Sequence, residues 1–457
     1  MTCLRRRDVL ATVPAAMLAT LSPRSLAISS DATARLLQAR LARQGVGLVA
    51  MQIDGPRIDI VARGERSAGE VLREDALFEI GSITKTFTAL LLADAIVRNV
   101  VSLDGAVEAA LPGIRLRDSV GEPIRWVDLA TQRSGLPRLP DNIAPKEIAD
   151  PYADYDEARL FAFTAAFRAT VPRDTRWEYS NLGFGLLGHA LARVQRTTYP
   201  ELLRARVLRP LGMTRTILAT SDQNVAGLAA GHDAARNVVS HWHFDALMGA
   251  GALVMPAGDL GRYAQAAIGA VGSPLQEAFA LCLRRHAAGP NERNPMGLAW
   301  LRAPLNGRVV FNHDGGTAGF SSSLWLDPER KRAAAVLANA SVEVNDLALH
   351  LLDDSIPPKD LSLTEQPQVT VPVEALALLA GVYSLNPQFK LTLSVRDGQL
   401  WAQATSQPAF PLFAKAPRAF FAKVTPLEIE VDDGVSPAGL TLRQGGQILR
   451  FERDAGP

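Results

Sequence analysis

The chain has 457 residues, 47% of them hydrophobic and 21% charged, with a formal net charge of +1. That is ordinary globular composition, long enough for two or three domains. Near-neutral charge without a basic stripe and interleaved aromatics excludes a nucleic-acid binder.

The first 27 residues open on Arg5, Arg6 and Arg7, continue through an apolar stretch from Val9 to Leu21, and end on the small-residue run Ser25-Leu26-Ala27. This layout predicts a cleaved export signal, because the apolar stretch is well short of the roughly 20 residues a membrane-spanning helix needs. Arg6-Arg7-Asp8-Val9-Leu10 resembles a twin-arginine signal, which exports a folded protein; a Sec signal or an uncleaved anchor are the alternatives. Cleavage removes four Arg and one Asp, taking the formal charge from +1 to −2. It also removes Cys3, leaving Cys282 as a single thiol and no internal disulfide. A periplasmic or secreted chain, without a stable membrane span after cleavage, is the expectation.

Residues 28–355 read as the main domain. "LVAMQIDGPRIDIVARGE" predicts two strands meeting in a hairpin at Asp54-Gly55. "FEIGSITKTFTALLLADAI", residues 78–96, follows a glycine with a helical pattern that sets Ile83, Phe87, Leu90 and Leu91 on one face. "FGLLGHALARVQ" and "PELLRARVLRPL" are helix-like, the second with Pro200 in its favoured first-turn position. "RVVFNHD" and "FSSSLWLDPERKRAAAVLANAS" return to strands. Strands, then helices, then strands predict an α/β (α+β) sheet with an all-helical insertion. Pro357, Pro358, Pro367 and Pro372 make residues 356–372 a linker, and residues 373–457 alternate in short strands with Asp-Gly or Gly-Gly turns, the pattern of a small antiparallel β-barrel.

Three short elements carry candidate chemistry. Ser82 and Lys85 stand three positions apart at a helix start, where unpaired N–H groups and the helix dipole favour negative charge on the serine, and a desolvated lysine accepts its proton. Read alone, the pair is equally a cap and a surface lysine. Tyr179-Ser180-Asn181 offers a phenol for proton relay and an amide that both donates and accepts, or simply a capped helix start with Ser180 or Asn181 as N-cap. His313-Asp314-Gly315-Gly316 places a hydrogen-bonding side chain and glycines on a strand edge, where a substrate backbone could lie and the next N–H serve an oxyanion; a glycine-rich turn is the plain alternative. All three in one order have a chance expectation of about one in a hundred.

Together these elements resemble the serine β-lactamase and penicillin-binding-protein superfamily, closest to class C β-lactamases and related serine hydrolases. "FEIGSITK" is similar to the active-site signature, "YSN" to Tyr-x-Asn, and "HDGGTAGF" to Lys-Thr-Gly and its glycine-rich strand. "LATQRSGLPRLP", "LRPLGM" and "LWLDPERKRAAAVLAN" look like the connecting segments, and the tail like the lipocalin-like domain of some relatives. The resemblance implies a β-lactamase/transpeptidase-like fold, Ser82 as acylated nucleophile, Lys85 as its proton acceptor and Tyr179 as general base and then acid. It further implies Asn181, His313 and Gly315 against the substrate, the N–H groups of Ser82 and Gly316 as oxyanion hole, a small-molecule substrate, and no cofactor or metal. The implied reaction is hydrolysis of a β-lactam or related amide. Two residues depart from the pattern: Thr84 replaces a smaller residue, and His313 replaces lysine. Imidazole, with a reference pKa near 6.5, is mostly neutral at pH 7 and so weakens carboxylate recognition. Esterase or D-amino-acid peptidase activity is therefore the alternative, and a non-catalytic sensor of cell-wall fragments a further one.

Other candidates have structural accounts. His241 and His243 flank Trp242 on a predicted strand, but no third ligand stands at metal spacing. Gly249 and Gly251 read as packing glycines, His189 as core, and Cys282 as an inert buried thiol.

Overall fold

The computed structural model describes residues 28–220, 225–359, 368–386, 389–405, 407, 409–423, 427–444 and 447–454. The expected export signal and the middle of the linker, residues 360–367, lie outside them.

The chain enters through α1 (Ser30–Leu41), capped by Ser29, whose hydroxyl accepts from the Ala32 N–H, and continues into β1 (Gly47–Asp54), β2 (Arg57–Ser67) and β3 (Glu70–Val71). The β1–β2 hairpin falls at Asp54-Gly55 as its sequence predicts, with Asp54 opposite Arg57 and Gly55 at a φ of 58°. The chain then runs through α2 (Thr84–Val97) and α3 (Asn181–Val194), and returns as β4 (Leu301–Leu305), β5 (Arg308–Gly316), β6 (Ser321–Asp327) and β7 (Arg332–Ala338) before α4 (Asn345–Leu352). The seven strands form one antiparallel sheet in the order β3-β2-β1-β7-β6-β5-β4.

Both faces of this sheet are covered. Leu48 and Ala50 of β1 pack with Leu37 of α1 and Leu347 and Leu351 of α4, while Val49, Met51 and Ile53 face Phe87, Leu90 and Leu260. That is why β1 and β7 read as continuous apolar runs and not as the in-out alternation of a half-solvated antiparallel sheet. The same burial revises α2: twelve of its fourteen residues are buried, so the apolar face read from its spacing is part of a helix enclosed all round. The insertion is mostly helical, yet it also carries a three-stranded sheet of Phe78–Glu79, Leu253–Met255 and Ile217–Leu218, in which the second strand is central.

After the linker, α5 (Val373–Leu379) starts directly behind Pro372. Eight strands follow: β8 (Gly381–Asn386), β9 (Phe389–Arg396), β10 (Gln399–Ala404), β11 (Phe410–Ala416), β12 (Ala419–Ala422), β13 (Leu427–Val431), β14 (Gly439–Gln444) and β15 (Gln447–Arg453). They close into an antiparallel barrel, β15 pairing with β8 through Tyr383 opposite Arg453. Closure removes the free sheet edges that so short a set of strands would otherwise expose.

Candidate active site

Ser82 lies in a 3-10 turn, Gly81–Ile83, that runs straight into α2. Residues three apart across this turn and the first turn of α2 share a face, so Lys85 comes to Ser82. Lys85 is fully buried, and its Nζ lies 3.0 Å from Ser82 Oγ, 2.8 Å from Asn181 Oδ1 and 2.7 Å from the Ala250 carbonyl oxygen. Burial, helped by the charge of Arg138, holds Lys85 well below the ordinary lysine range. A neutral amine has two N–H groups and one lone pair. The amide and carbonyl oxygens, which can only accept, take the two N–H groups, and the lone pair is left for the serine hydroxyl.

Asn181 is the first residue of α3, and Ser180 caps that helix by accepting from the Gly183 N–H at 2.8 Å. Tyr179 precedes the cap and hydrogen-bonds Ser82. Burial pushes its phenol up to about 12, while the Ser82 hydrogen bond and the Arg138 charge pull the other way. Lys85 Nζ lies 4.9 Å and Arg138 Cζ 5.0 Å from the centre of the tyrosine ring, so a phenolate formed in passing would meet positive charge.

The third element comes from β5. Its partner β4 covers only Arg308 to Asn312, with Leu301 opposite Asn312, so from His313 to Gly316 the strand has no outer neighbour among the described strands. An open edge is where an extended substrate backbone can hydrogen-bond. The approach of this strand to the serine turn depends on glycine. A Cβ on Gly315 would lie 2.0 Å from the Ile80 carbonyl oxygen, and one on Gly81, whose φ is +49°, would lie 2.7 Å from the Gly316 nitrogen. Ser322 Oγ donates to the Ile80 carbonyl at 2.9 Å and fixes the same contact from the next strand.

His313 is buried, and its Nδ1–H donates to the Asp314 carbonyl at 2.7 Å. Burial and the Lys85 charge bring its pKa down to about 3, against that hydrogen bond. The imidazole is therefore neutral, with Nε2 left as an acceptor. Thr84 is also buried; its hydroxyl accepts from the Leu253 N–H at 3.1 Å, which gives the larger residue a structural role here.

The predicted residues Ser82, Tyr179, Asn181, His313, Gly315 and Gly316 line one cavity of about 620 Å³, with Lys85 beneath it. Arg138, Tyr152, Trp177, Trp242 and Phe244 supply much of the remaining wall. The pairing of Leu253–Met255 with Phe78–Glu79 brings the Met248–Gly251 turn, and with it the Ala250 carbonyl, to Lys85. Backbone acceptors leave no residue-type signature, and the aromatic wall is scattered along the chain, so neither was visible in the sequence. Of the two glycines set aside as packing residues, a Cβ at Gly249 would meet the Phe184 carbonyl oxygen at 2.7 Å, whereas Gly251 also lines the cavity.

The two histidines beside Trp242 stand in irregular chain, not on a strand, because each turns to its own carboxylate. His241 Nδ1 is 2.9 Å from Glu79 Oε1 and His243 Nδ1 2.6 Å from Asp150 Oδ2. No metal-binding cluster is present among the described residues. His189 is half-buried beside Phe161 and not core, while Cys282 is fully enclosed and burial pushes its thiol up.

An antiparallel sheet with a Ser-x-x-Lys turn packed against its open edge is the arrangement expected of a serine hydrolase. A family model described as "Beta-lactamase" matches residues 33–354, and the chain belongs to this family of serine hydrolases. The D-alanyl-D-alanine-carboxypeptidase/endopeptidase AmpH of Escherichia coli (strain K12) is 27% identical over 330 residues, which is 67% of this chain and 84% of the relative. A β-lactamase of Psychrobacter immobilis is 26% identical over 63% of this chain and 72% of its own. Among solved structures, a class C β-lactamase from Rhodobacter sphaeroides has a TM-score of 0.59 at 25% identity over 67% of this chain and 93% of that one. An octameric penicillin-binding protein homologue from Pyrococcus abyssi shares the fold with a TM-score of 0.64 at 21% identity. That match covers 93% of this chain and 100% of the other.

Proposed function

We propose that the protein cleaves a carboxyl ester or unstrained amide through an acyl-enzyme on Ser82, with an ester favoured over a β-lactam. The observation that carries the choice of substrate is the buried His313, held neutral by burial, at the position where the Lys-Thr-Gly signature has lysine. Without a cation at that position the site has no strong reason to select the carboxylate of a β-lactam.

In this reading the Lys85 lone pair takes the Ser82 proton as Oγ attacks the carbonyl carbon. The oxyanion is held by the N–H groups of Ser82 and Gly316. The bond to the leaving oxygen breaks, and the proton passes through Tyr179 to the departing alcohol. A water molecule then attacks the acyl carbon while its proton passes through Tyr179 to the Lys85 lone pair; as the tetrahedral intermediate collapses, Lys85 returns that proton to Ser82 Oγ and the acid is released. Asn181 holds the lysine and stands ready for a substrate N–H or carbonyl.

A second reading, cleavage of a D-alanyl peptide or β-lactam, is favoured by Arg138. Its guanidinium lines the cavity, 5.0 Å from the centre of the Tyr179 ring, so it could take a carboxylate from another side. The test compares p-nitrophenyl acetate, a D-alanyl-D-alanine peptide and nitrocefin on wild type and Ser82→Ala. A fluorophosphonate probe should label the wild type and not the variant, with the ester turned over fastest. Absence of labelling would overturn the nucleophile, and faster nitrocefin turnover the substrate choice. The signal read in residues 1–27 supports activity outside the cytoplasm; no helix among the described residues is long and apolar enough to cross a membrane. Amino-terminal sequencing of the exported form should begin near Ile28, and recovery of only the uncleaved chain would overturn it.

A further inference from the structure

One end of the barrel lies beside the candidate active site. A second cavity, of about 290 Å³, lies at one barrel end, where β9, β13 and β15 begin and β10 and β14 finish. Its wall is apolar: Phe389, Leu391, Ala404, Phe410, Leu442 and Leu449 contribute, among others. The register puts them in facing pairs, Leu391 opposite Ala404 and Leu442 opposite Leu449, and the Phe389 ring lies 6.0 Å from that of Phe451. The open side is closed by Ser341, Val342 and Glu343 of the hydrolase part, with Glu343 already paired to Lys359.

Ser321, Ser341 and Gln407 line this cavity and the catalytic one alike. The two spaces therefore adjoin at those three residues. Ser321 sits at the start of β6, and its hydroxyl accepts from the Val342 N–H at 3.1 Å, which holds the dividing segment in place. A substrate anchored at Ser82 thus meets a polar collar and, beyond it, an apolar chamber.

We propose that the barrel mouth receives the apolar chain of an amphipathic ester whose carbonyl lies at Ser82. This rests on the ester reading above and narrows it to substrates with an aliphatic tail. Burying such a tail removes apolar surface from water, and its contribution grows with each methylene. The polar collar passes an extended chain and leaves the head group with Tyr179, Asn181 and the β5 edge.

The test uses the full-length protein and the p-nitrophenyl esters of acetate, hexanoate and decanoate, with wild type, Ala404→Phe and Leu449→Gln. Circular dichroism confirms that each variant is folded. Dansyl-undecanoate is titrated into Ser82→Ala with and without Leu449→Gln, so that binding is read apart from turnover. In wild type, KM should fall by about tenfold or more from acetate to decanoate. Both barrel variants should lose that gain and keep the acetate rate, and the probe should bind Ser82→Ala but not the double variant. A chain-length series that is flat, or a gain that survives in both folded variants, overturns the proposal while leaving ester hydrolysis intact. If no ester is cleaved by folded protein, the ester reading falls, and with it the tail; dansyl-undecanoate bound only with Leu449 present would then keep the chamber as an apolar-ligand site.

Discussion

His313 stands where the Lys-Thr-Gly signature it resembles has lysine, and its environment determines what the difference means. Burial and Lys85 hold it near 3, so it contributes no charge at neutral pH and no inflection in the histidine range. The rate should instead rise with pH through the depressed pKa of Lys85, reaching its plateau below the ordinary lysine range. A clear limb near pH 6.5 in kcat/KM, lost in His313→Gln, would refute the neutral assignment. The sign for stability follows from linkage. Between about 6.5 and about 3 the unfolded chain carries a proton on this histidine that the folded one does not, so stability is lost as pH falls through that window. His313→Gln should flatten this part of the acid-unfolding curve. His313→Lys adds the missing cation and should raise nitrocefin turnover relative to p-nitrophenyl acetate by about tenfold; an unchanged ratio would mean that Arg138 or the cavity shape sets the preference.

The decisive contact between elements is that of β5 with the serine turn. Gly315 has no room for a methyl group, with the Ile80 carbonyl oxygen 2.0 Å from an added Cβ, whereas at Gly316 the nearest atom is 3.9 Å away. Gly315→Ala must push the strand off the turn, costing about 1–3 kcal/mol of stability and, by displacing the Gly316 N–H, a loss in kcat of about a hundredfold or more. Gly316→Ala retains its N–H and should stay within a few-fold of wild type. Equal effects of the two changes, measured by thermal melts and ester turnover, would remove the steric account. Much at this scale was legible: the hairpin at Asp54-Gly55, the β5–β7 strands and the Ser180 cap all announce themselves through turn chemistry, alternation and capping residues. The α5 helix did not, because the proline-rich stretch before it masked a short periodic run, Val373–Leu379, that Pro372 in fact starts. Nor did the partner of Lys85, since the Ala250 carbonyl is placed by a strand pairing between segments far apart in the chain.

At the scale of the whole molecule the cores decide cooperativity. The two clusters that sandwich the seven-stranded sheet share its strands, so they should melt together; the barrel cluster, built on Tyr383, Leu391, Leu440 and Phe451, has no residue in common with either. We therefore propose units at about residues 28–355 and 373–457, meeting at the collar of Ser321, Ser341 and Gln407. A small unit buries a smaller fraction of its surface and should unfold first. Scanning calorimetry of the full chain should then show two transitions. Tyr383 identifies the lower one: it is fully buried, and its hydroxyl donates to the Leu379 carbonyl at 2.8 Å, pinning α5 to the barrel. Tyr383→Phe leaves that carbonyl short of a donor, at a cost of about 1 kcal/mol, which for a unit of this size lowers Tm by roughly 4–8 °C. Only the lower transition should move, and the ester rate with acetate at 25 °C should not change. If both transitions shift together, or only one is seen, the collar couples the two units into a single cooperative body, and the barrel then supports the serine site mechanically as well as by lining the path to it.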